Sequence, residues 1–274
     1  MGSPCSQIPP RANSVSLLAP LFTMDDLEAA FQWIANLRKK YSPNNDIWNL
    51  RRDWENIKEG LLAQFNDDSY VFCHLERYEF EDQTISLWSS RDMLALKLLS
   101  QALGQRMAKY IPQSCCHVKN HGGLKKAVRQ TYEALPEYEY VMRSDVQGYY
   151  ASICFDVLMG IIKSYVTHPV LLTLIDKAGC RTETRGGIFR DYNKRGIPKG
   201  SLLSHLLGAI ALMPLDQEMG RIKDVFYARF MDNWVVLTES KTDLRKVIKL
   251  THQVVNSQKL HLHPIKTFGA VLDN

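Results

Sequence analysis

Two acids, Asp145 and Asp232, are the side chains from which a reaction can be argued, and 87 residues separate them. Asp232 lies in Phe230-Met231-Asp232-Asn233-Trp234, between the β-prone runs Val225-Phe226-Tyr227 and Val235-Val236-Leu237-Thr238. Two such runs around a tight polar pair predict a hairpin with a carboxylate at its tip. Ordinary turn composition is the other reading of Asp232-Asn233, since both residue types suit turns. Asp145 ends a further β-prone run that starts at Tyr138. Two carboxylates brought to one sheet edge repel unless divalent cations lie between them. Hard, oxygen-liganded Mg²⁺ is the natural occupant, with Mn²⁺ as a substitute. Metal ions about 4 Å apart stabilise both the attacking and the leaving oxygen of a phosphoryl transfer.

The elements between and around the acids decide whether they meet. After Asp145 comes a helix with Asp156 as the expected N-cap of residues 157–166, then a basic hairpin from Gly179 to Arg195 around Gly186-Gly187. Pro198-Lys199-Gly200-Ser201 launches an apolar helix, with Ser201 as its cap, and the Asp232 hairpin follows. An amphipathic helix (Leu244, Val247, Ile248, Thr251, Val255) and a short strand after His263-Pro264 end the chain. This β-α-β-β-α-β succession is the split βαβ pattern, in which the Asp145 strand and the Asp232 hairpin are central neighbours. Upstream, helical spacing predicts helices from Thr23, over Ile47–Ala63, from Arg91 to about Tyr110, and over Leu124–Leu135. Tyr70 to Leu75 reads as a strand paired with Ile85–Trp88. Residues 1–20, rich in proline and serine, read as a poorly ordered arm.

Charge placement points to the partner. The chain carries a net +5, and the segment Lys177–Lys199 alone holds seven Lys or Arg against two acids, also a net +5. Lys119, Lys125, Lys126 and Arg129 form a second basic segment without an acid. Such concentrations suit a polyanion, nucleic acid or nucleotide phosphate; two solvated basic faces are the plainer reading. Six scattered cysteines and the lack of a signal-like N-terminus predict free thiols and a cytoplasmic location. Cys115, Cys116, His117 and His121 cluster, but adjacent cysteines chelate zinc poorly. No apolar run approaches the ~18 residues that span a bilayer, so no membrane partner is expected.

Three segments carry a resemblance. Asp145-Val146-Gln147-Gly148-Tyr149-Tyr150, Arg195-Gly196-Ile197-Pro198-Lys199-Gly200-Ser201-Leu202-Leu203-Ser204 and Phe230-Met231-Asp232-Asn233 resemble the palm motifs of reverse transcriptases, nearest to the bacterial group II intron and retron-like enzymes. His263-Pro264-Ile265-Lys266-Thr267 resembles the motif that follows the palm. Trp88-Ser89-Ser90-Arg91-Asp92 and His121-Gly122-Gly123 resemble fingers motifs more weakly. The resemblance implies an α+β fold: a right-hand polymerase palm, with a split βαβ, ferredoxin-like antiparallel sheet and helices on one face, and mainly helical fingers. It divides the chain into an N-terminal arm and helix (1–45), fingers (46–136) and palm (137–274, with a basic hairpin at about 178–197). The implied activity is RNA-directed DNA polymerisation, adding deoxynucleotides to a primer 3′-OH on an RNA template, with a DNA or RNA primer. Asp145 and Asp232 would hold Mg²⁺ with the Val146 carbonyl, and Tyr150 would exclude the ribose 2′-OH, leaving Tyr149 to the core. Lys199 and Gly200 would lie against the incoming nucleotide, Arg91 would contact its triphosphate, and Lys266 would assist pyrophosphate departure or is simply a solvated lysine.

The pattern departs from the family at Asn233, where a second acid is usual, at Lys199 in place of Gln and at His205 in place of Pro. No helical thumb is evident; a partner or a following segment is expected to supply one. Two alternatives stay open: a weakened or inactive RNA-binding scaffold, and a template-independent polymerase of the same fold.

Overall fold

The computed structural model describes residues 19–80, 83–191, 195–198 and 200–272. The expected arm therefore lies almost wholly outside the described residues, as does Lys199. Thr23 caps α1 (Met24–Leu37) through a reciprocal box with Asp26, and α2 (Ile47–Asn66) packs on it through stacked Phe31 and Trp54 rings, 3.8 Å between centroids. Strands β1 (Leu75–Phe80) and β2 (Gln83–Leu87) precede the long helix α3 (Ser90–Met107), which is followed by α4 (Gly123–Ala134) and a 3₁₀ turn, Leu135–Glu137. Then come β3 (Tyr140–Asp145), α5 (Tyr149–Ser152), α6 (Phe155–Tyr165), α7 (Pro169–Gly179), β4 (Thr182–Arg185) and β5 (Ile188–Asp191). The chain closes with α8 (Leu202–Ala211), α9 (Met213–Met219), β6 (Val225–Phe230), β7 (Asn233–Thr238), α10 (Lys241–Ser257) and β8 (Phe268–Val271).

Strands β6-β7-β3-β8 form one antiparallel sheet, so the Asp145 strand and the Asp232 hairpin are neighbours as the order of elements predicts. Along β3, Met142 and Ser144 are buried while Arg143 is exposed, which sets Asp145 on the same side as Arg143. Helix α10 covers the other side, with the Thr251 hydroxyl 3.9 Å from the Met142 sulfur. A second sheet, β2-β1-β4-β5, joins β1 to β4 in parallel through Leu75 opposite Glu183. The basic hairpin therefore pairs, through β4, with a strand more than a hundred residues upstream. One continuous apolar core, from Phe22 to Leu260, is shared by residues on both sides of the expected boundary at 136. Among the described residues no helix is long and apolar enough to cross a membrane.

Two local expectations need correction. The strand begins at Leu75, not Tyr70, because the buried Asp92 carboxylate takes the donors of the preceding segment. It accepts from the Tyr70 hydroxyl (2.8 Å) and the Cys73 N–H (3.3 Å), which leaves that stretch outside a ladder. Asp156 is not the N-cap; Cys154 is, and α6 starts at Phe155. Phe155 lies buried against Gly179, where an added Cβ would overlap its ring, and this contact draws the helix start forward. Asp156 then sits in the first turn, where its charge suits the helix dipole.

Candidate active site

Pairing of β6 and β7 runs to Phe230 opposite Asn233, leaving Met231-Asp232 as a two-residue tip. Met231 has φ 57°, in the left-handed region that glycine usually fills at this turn position. On the neighbouring strand Asp145 stands in register opposite Asn233, so Asp232 is the next residue beyond that pair. The segment before β8 runs alongside the end of β3: the His263 N–H donates to the Asp145 carbonyl (2.7 Å) and the Gln147 N–H to the His261 carbonyl (2.9 Å). These two bonds bracket the bridge between Val146 and Leu262 and leave the Val146 carbonyl unused by it.

The Asp145 carboxylate is 5% exposed, and Lys266 Nζ, on a side chain 52% exposed, lies 3.3 Å from its Oδ2. Burial pushes the Asp232 carboxyl above its ordinary range and the charge of Asp145 pushes it further, while Lys266 and a hydrogen bond from Asn233 pull it back. The site thus gathers negative charge that Lys266 only partly offsets. Two carboxylates and an available carbonyl are three hard oxygens, the donor type that Mg²⁺ or Mn²⁺ takes. Among the described residues no group of three or more His, Cys, Asp or Glu gathers as a metal cluster. Asn233, in register with Asp145, adds no charge to these donors.

Beside the acids, Gly148 (φ 57°) turns the chain from β3 into α5 and sets Tyr149 and Tyr150 in succession. Tyr149 is buried and its hydroxyl donates to the Gly208 carbonyl on α8 at 2.5 Å, the core position expected for it. Tyr150 is half-buried, its hydroxyl acidity weakened first by burial and then by the charge of Asp232. A Cβ at Gly208 would meet both rings at 3.4 Å, so this glycine is the seat of the tyrosine pair. The Gly196 loop fits closely behind: a Cβ there would lie 2.9 Å from the Ala151 carbonyl, and the Ile197 N–H donates to the Tyr150 carbonyl at 2.7 Å. Ser201 caps α8 as expected, and Gly200 precedes it at φ 90°.

Arg91 stands apart from this group. Its guanidinium bonds Gln64 (3.3 Å) and lies over the Tyr70 ring (5.8 Å), in a cleft lined by Gln64, Ser69, Tyr70, Val71 and Cys73. Its motif neighbours are structural: Ser89 caps α3, and Ser90 joins Asp46 and Arg38 in a knot of hydrogen bonds. The basic hairpin also carries less outward charge than its composition suggests. Arg181 is buried on Glu183 (3.0 Å) and the Gly196 carbonyl, and Lys177 bonds Asp68, whereas Arg185, Arg190 and Arg195 are exposed.

Sequence reasoning missed the support beneath the tip. Arg229, fully buried, donates to both carboxylate oxygens of buried Asp216, to the Ala209 carbonyl and, at 2.7 Å, to the Met231 carbonyl. His117 Nδ1 accepts the Met231 N–H at 3.0 Å. His117 was legible only as part of the Cys115-Cys116-His117-His121 cluster. There Cys115 accepts from Arg229 (3.1 Å) and His121 Nδ1 is 3.0 Å from the Cys115 carbonyl.

A family profile described as "Reverse transcriptase (RNA-dependent DNA polymerase)" matches residues 84–271, more than half of the chain. The chain belongs to the reverse transcriptase family. Its fold is accordingly a reverse transcriptase domain of mixed α and β content. Two solved structures of coarse similarity are a "Partial Cas6-RT-Cas1--Cas2 complex" and a "Cas6-RT-Cas1--Cas2 complex". Each has 16% identity and a TM-score of 0.48 over 87% of this chain, but only 43% and 27% of those chains are covered. The chain thus spans less than half the length of either of those chains. No curated protein matches it.

Proposed function

We propose that the chain is an RNA-directed DNA polymerase of the bacterial group II intron and retron-like type, with β3, β6, β7 and β8 as the palm sheet. The observation that carries this reading is the register of Asp145 opposite Asn233, with Asp232 next to it at the tip. Asp145, Asp232 and the Val146 carbonyl would hold divalent metal, Mg²⁺ or Mn²⁺. When bound, the metal supplies a Lewis acid that activates the primer 3′-OH and steadies the triphosphate. Lys266, ion-paired with Asp145 at 3.3 Å, would assist the departure of pyrophosphate. Tyr150, wedged between Gly208 and the field of Asp232, would face the sugar and reject a 2′-OH. Gly200 and Lys199 would border the nucleotide, and Arg91 would reach its phosphates only if α3 and the palm close on it. RNA template, a DNA or RNA primer and deoxynucleoside triphosphates are the implied partners, with a thumb from a partner or an adjoining segment.

One observation favours a second reading. Asn233 contributes no charge where the family usually has an acid, which suits a site weakened toward an RNA-binding scaffold. The two readings part on oligo(dT)-primed poly(rA) with dTTP and Mg²⁺ or Mn²⁺. Extended primer supports the polymerase; retained RNA binding without extension in either metal supports the scaffold. Tyr150→Ala should then accept ribonucleotides more readily, and unchanged selectivity would remove Tyr150 from the gate.

A further inference from the structure

Met231 carries the tip, and its backbone is the strained part of it. A non-glycine residue at φ 57° costs about 1–2 kcal/mol and persists only where its surroundings over-determine it. Two side chains do so here. Arg229 donates to the Met231 carbonyl at 2.7 Å, and His117 accepts the Met231 N–H at 3.0 Å. Arg229 is part of the buried Asp216 network and serves the fold at large. His117 does not share that network's ion pair. It comes from the loop before α4, meets Phe230 edge-on at 5.9 Å, and its Nδ1 also lies 3.6 Å from the Cys115 sulfur.

We infer that His117 is a positioning residue: its neutral imidazole holds the Met231 N–H and thereby fixes the tip on which Asp232 stands. The consequence for metal binding rests on the function proposed above; the clamp itself does not. A backbone N–H can only donate, so Nδ1 must be bare and the proton of the neutral ring must sit on Nε2. Burial, and then the Arg229 charge, lowers the imidazole's proton affinity and supports that neutral form. A lost clamp lets the tip relax toward unstrained backbone, and the Asp232 carboxylate moves with it. Removing a group that orients a ligand typically weakens metal affinity 10–100-fold.

The test uses three variants. His117→Phe keeps a flat ring without an acceptor, His117→Ala removes the ring, and His117→Asn returns an acceptor near the position of Nδ1. Amide hydrogen exchange at Met231, followed by NMR, should accelerate at least tenfold in His117→Phe and His117→Ala while β6 and β7 stay protected; His117→Asn should remain within a few-fold of the parent. Mn²⁺ binding, read by electron paramagnetic resonance, should weaken about tenfold in His117→Phe and recover in His117→Asn. KM for the primer–template should stay within twofold in every variant. Unchanged Met231 exchange in His117→Phe overturns the inference, as does a His117→Asn variant as impaired as His117→Phe, which would assign the effect to ring packing. If the parent protein neither binds Mn²⁺ nor extends primer but the exchange pattern holds, the clamp stands and the polymerase reading falls.

Discussion

Asp232→Asn should make the metal-free protein more stable while removing a ligand of the proposed metal site. Burial and the neighbouring Asp145 charge raise the Asp232 carboxyl above its ordinary range, so its ionised form is a cost to the fold. For a raised carboxyl, stability is full below the ordinary value near 4 and falls as pH rises through the folded value. At neutral pH that cost is therefore fully present. Like charges roughly 6 Å apart cost about 0.7 kcal/mol at a dielectric of 80 and about 2.8 kcal/mol at 20. Asp232 is only partly buried and Lys266 offsets part of the repulsion, so about 1 kcal/mol is the working figure. For a chain of this size that corresponds to a melting temperature about 2–4 °C higher for Asp232→Asn in EDTA at pH 7.5. The gap should close near pH 4. Millimolar Mg²⁺ should reverse the order, because a metal that binds only the native parent stabilises it by mass action. Scanning calorimetry reads all three. An Asp232→Asn protein no more stable than the parent in EDTA, or equal Mg²⁺ shifts in both, would refute the reasoning.

Four further outcomes follow from the same geometry. Arg229→Met strips Asp216 of its buried partner and should cost about 3–5 kcal/mol in urea unfolding, far more than any surface arginine. Gly208→Ala, whose Cβ would meet both tyrosines at ordinary contact distance, should leave stability within about 1 kcal/mol; Gly208→Val should overpack the seat, cost about 1–3 kcal/mol and loosen ribonucleotide discrimination in single-nucleotide incorporation. Asn233→Asp adds a carboxylate opposite Asp145 and should lower the Mg²⁺ concentration for half-maximal extension several-fold, while lowering the melting temperature in EDTA. His117, lowered to about 4 mainly by burial, has stability to lose as pH falls from its ordinary 6.5 toward 4. The loss is at most about 3 kcal/mol, and His117→Asn should remove that part of the pH slope.

The acids, their strands and their meeting were legible because each rests on a local signal: a β-prone run, a two-residue turn, an alternation of helices and strands. That the two strands are neighbours followed from the order of elements, and Tyr149 in the core followed from only one of two adjacent tyrosines serving the site. What stayed hidden depends on partners distant in sequence. Residues 70–74 have the composition of a strand, yet Asp92 takes the Cys73 N–H, and no local pattern announces it. The parallel pairing of Leu75 with Glu183 and the ion pair of Arg229 with Asp216 are likewise visible only once the chain is folded. Helix α7 was overlooked although Pro169 after His168 is a proper start signal. Arg181 and Lys177 counted as free charge in the sequence and are tied down in the fold.

Single-turnover addition of dTMP to primed poly(rA) bears most directly on the central claim that Asp145 and Asp232 form one metal-dependent polymerisation site. The account predicts addition by the parent protein that requires Mg²⁺ or Mn²⁺, and none above background by Asp145→Ala or Asp232→Ala with folding and RNA binding intact. Addition that survives either substitution, or that proceeds in EDTA, would contradict it.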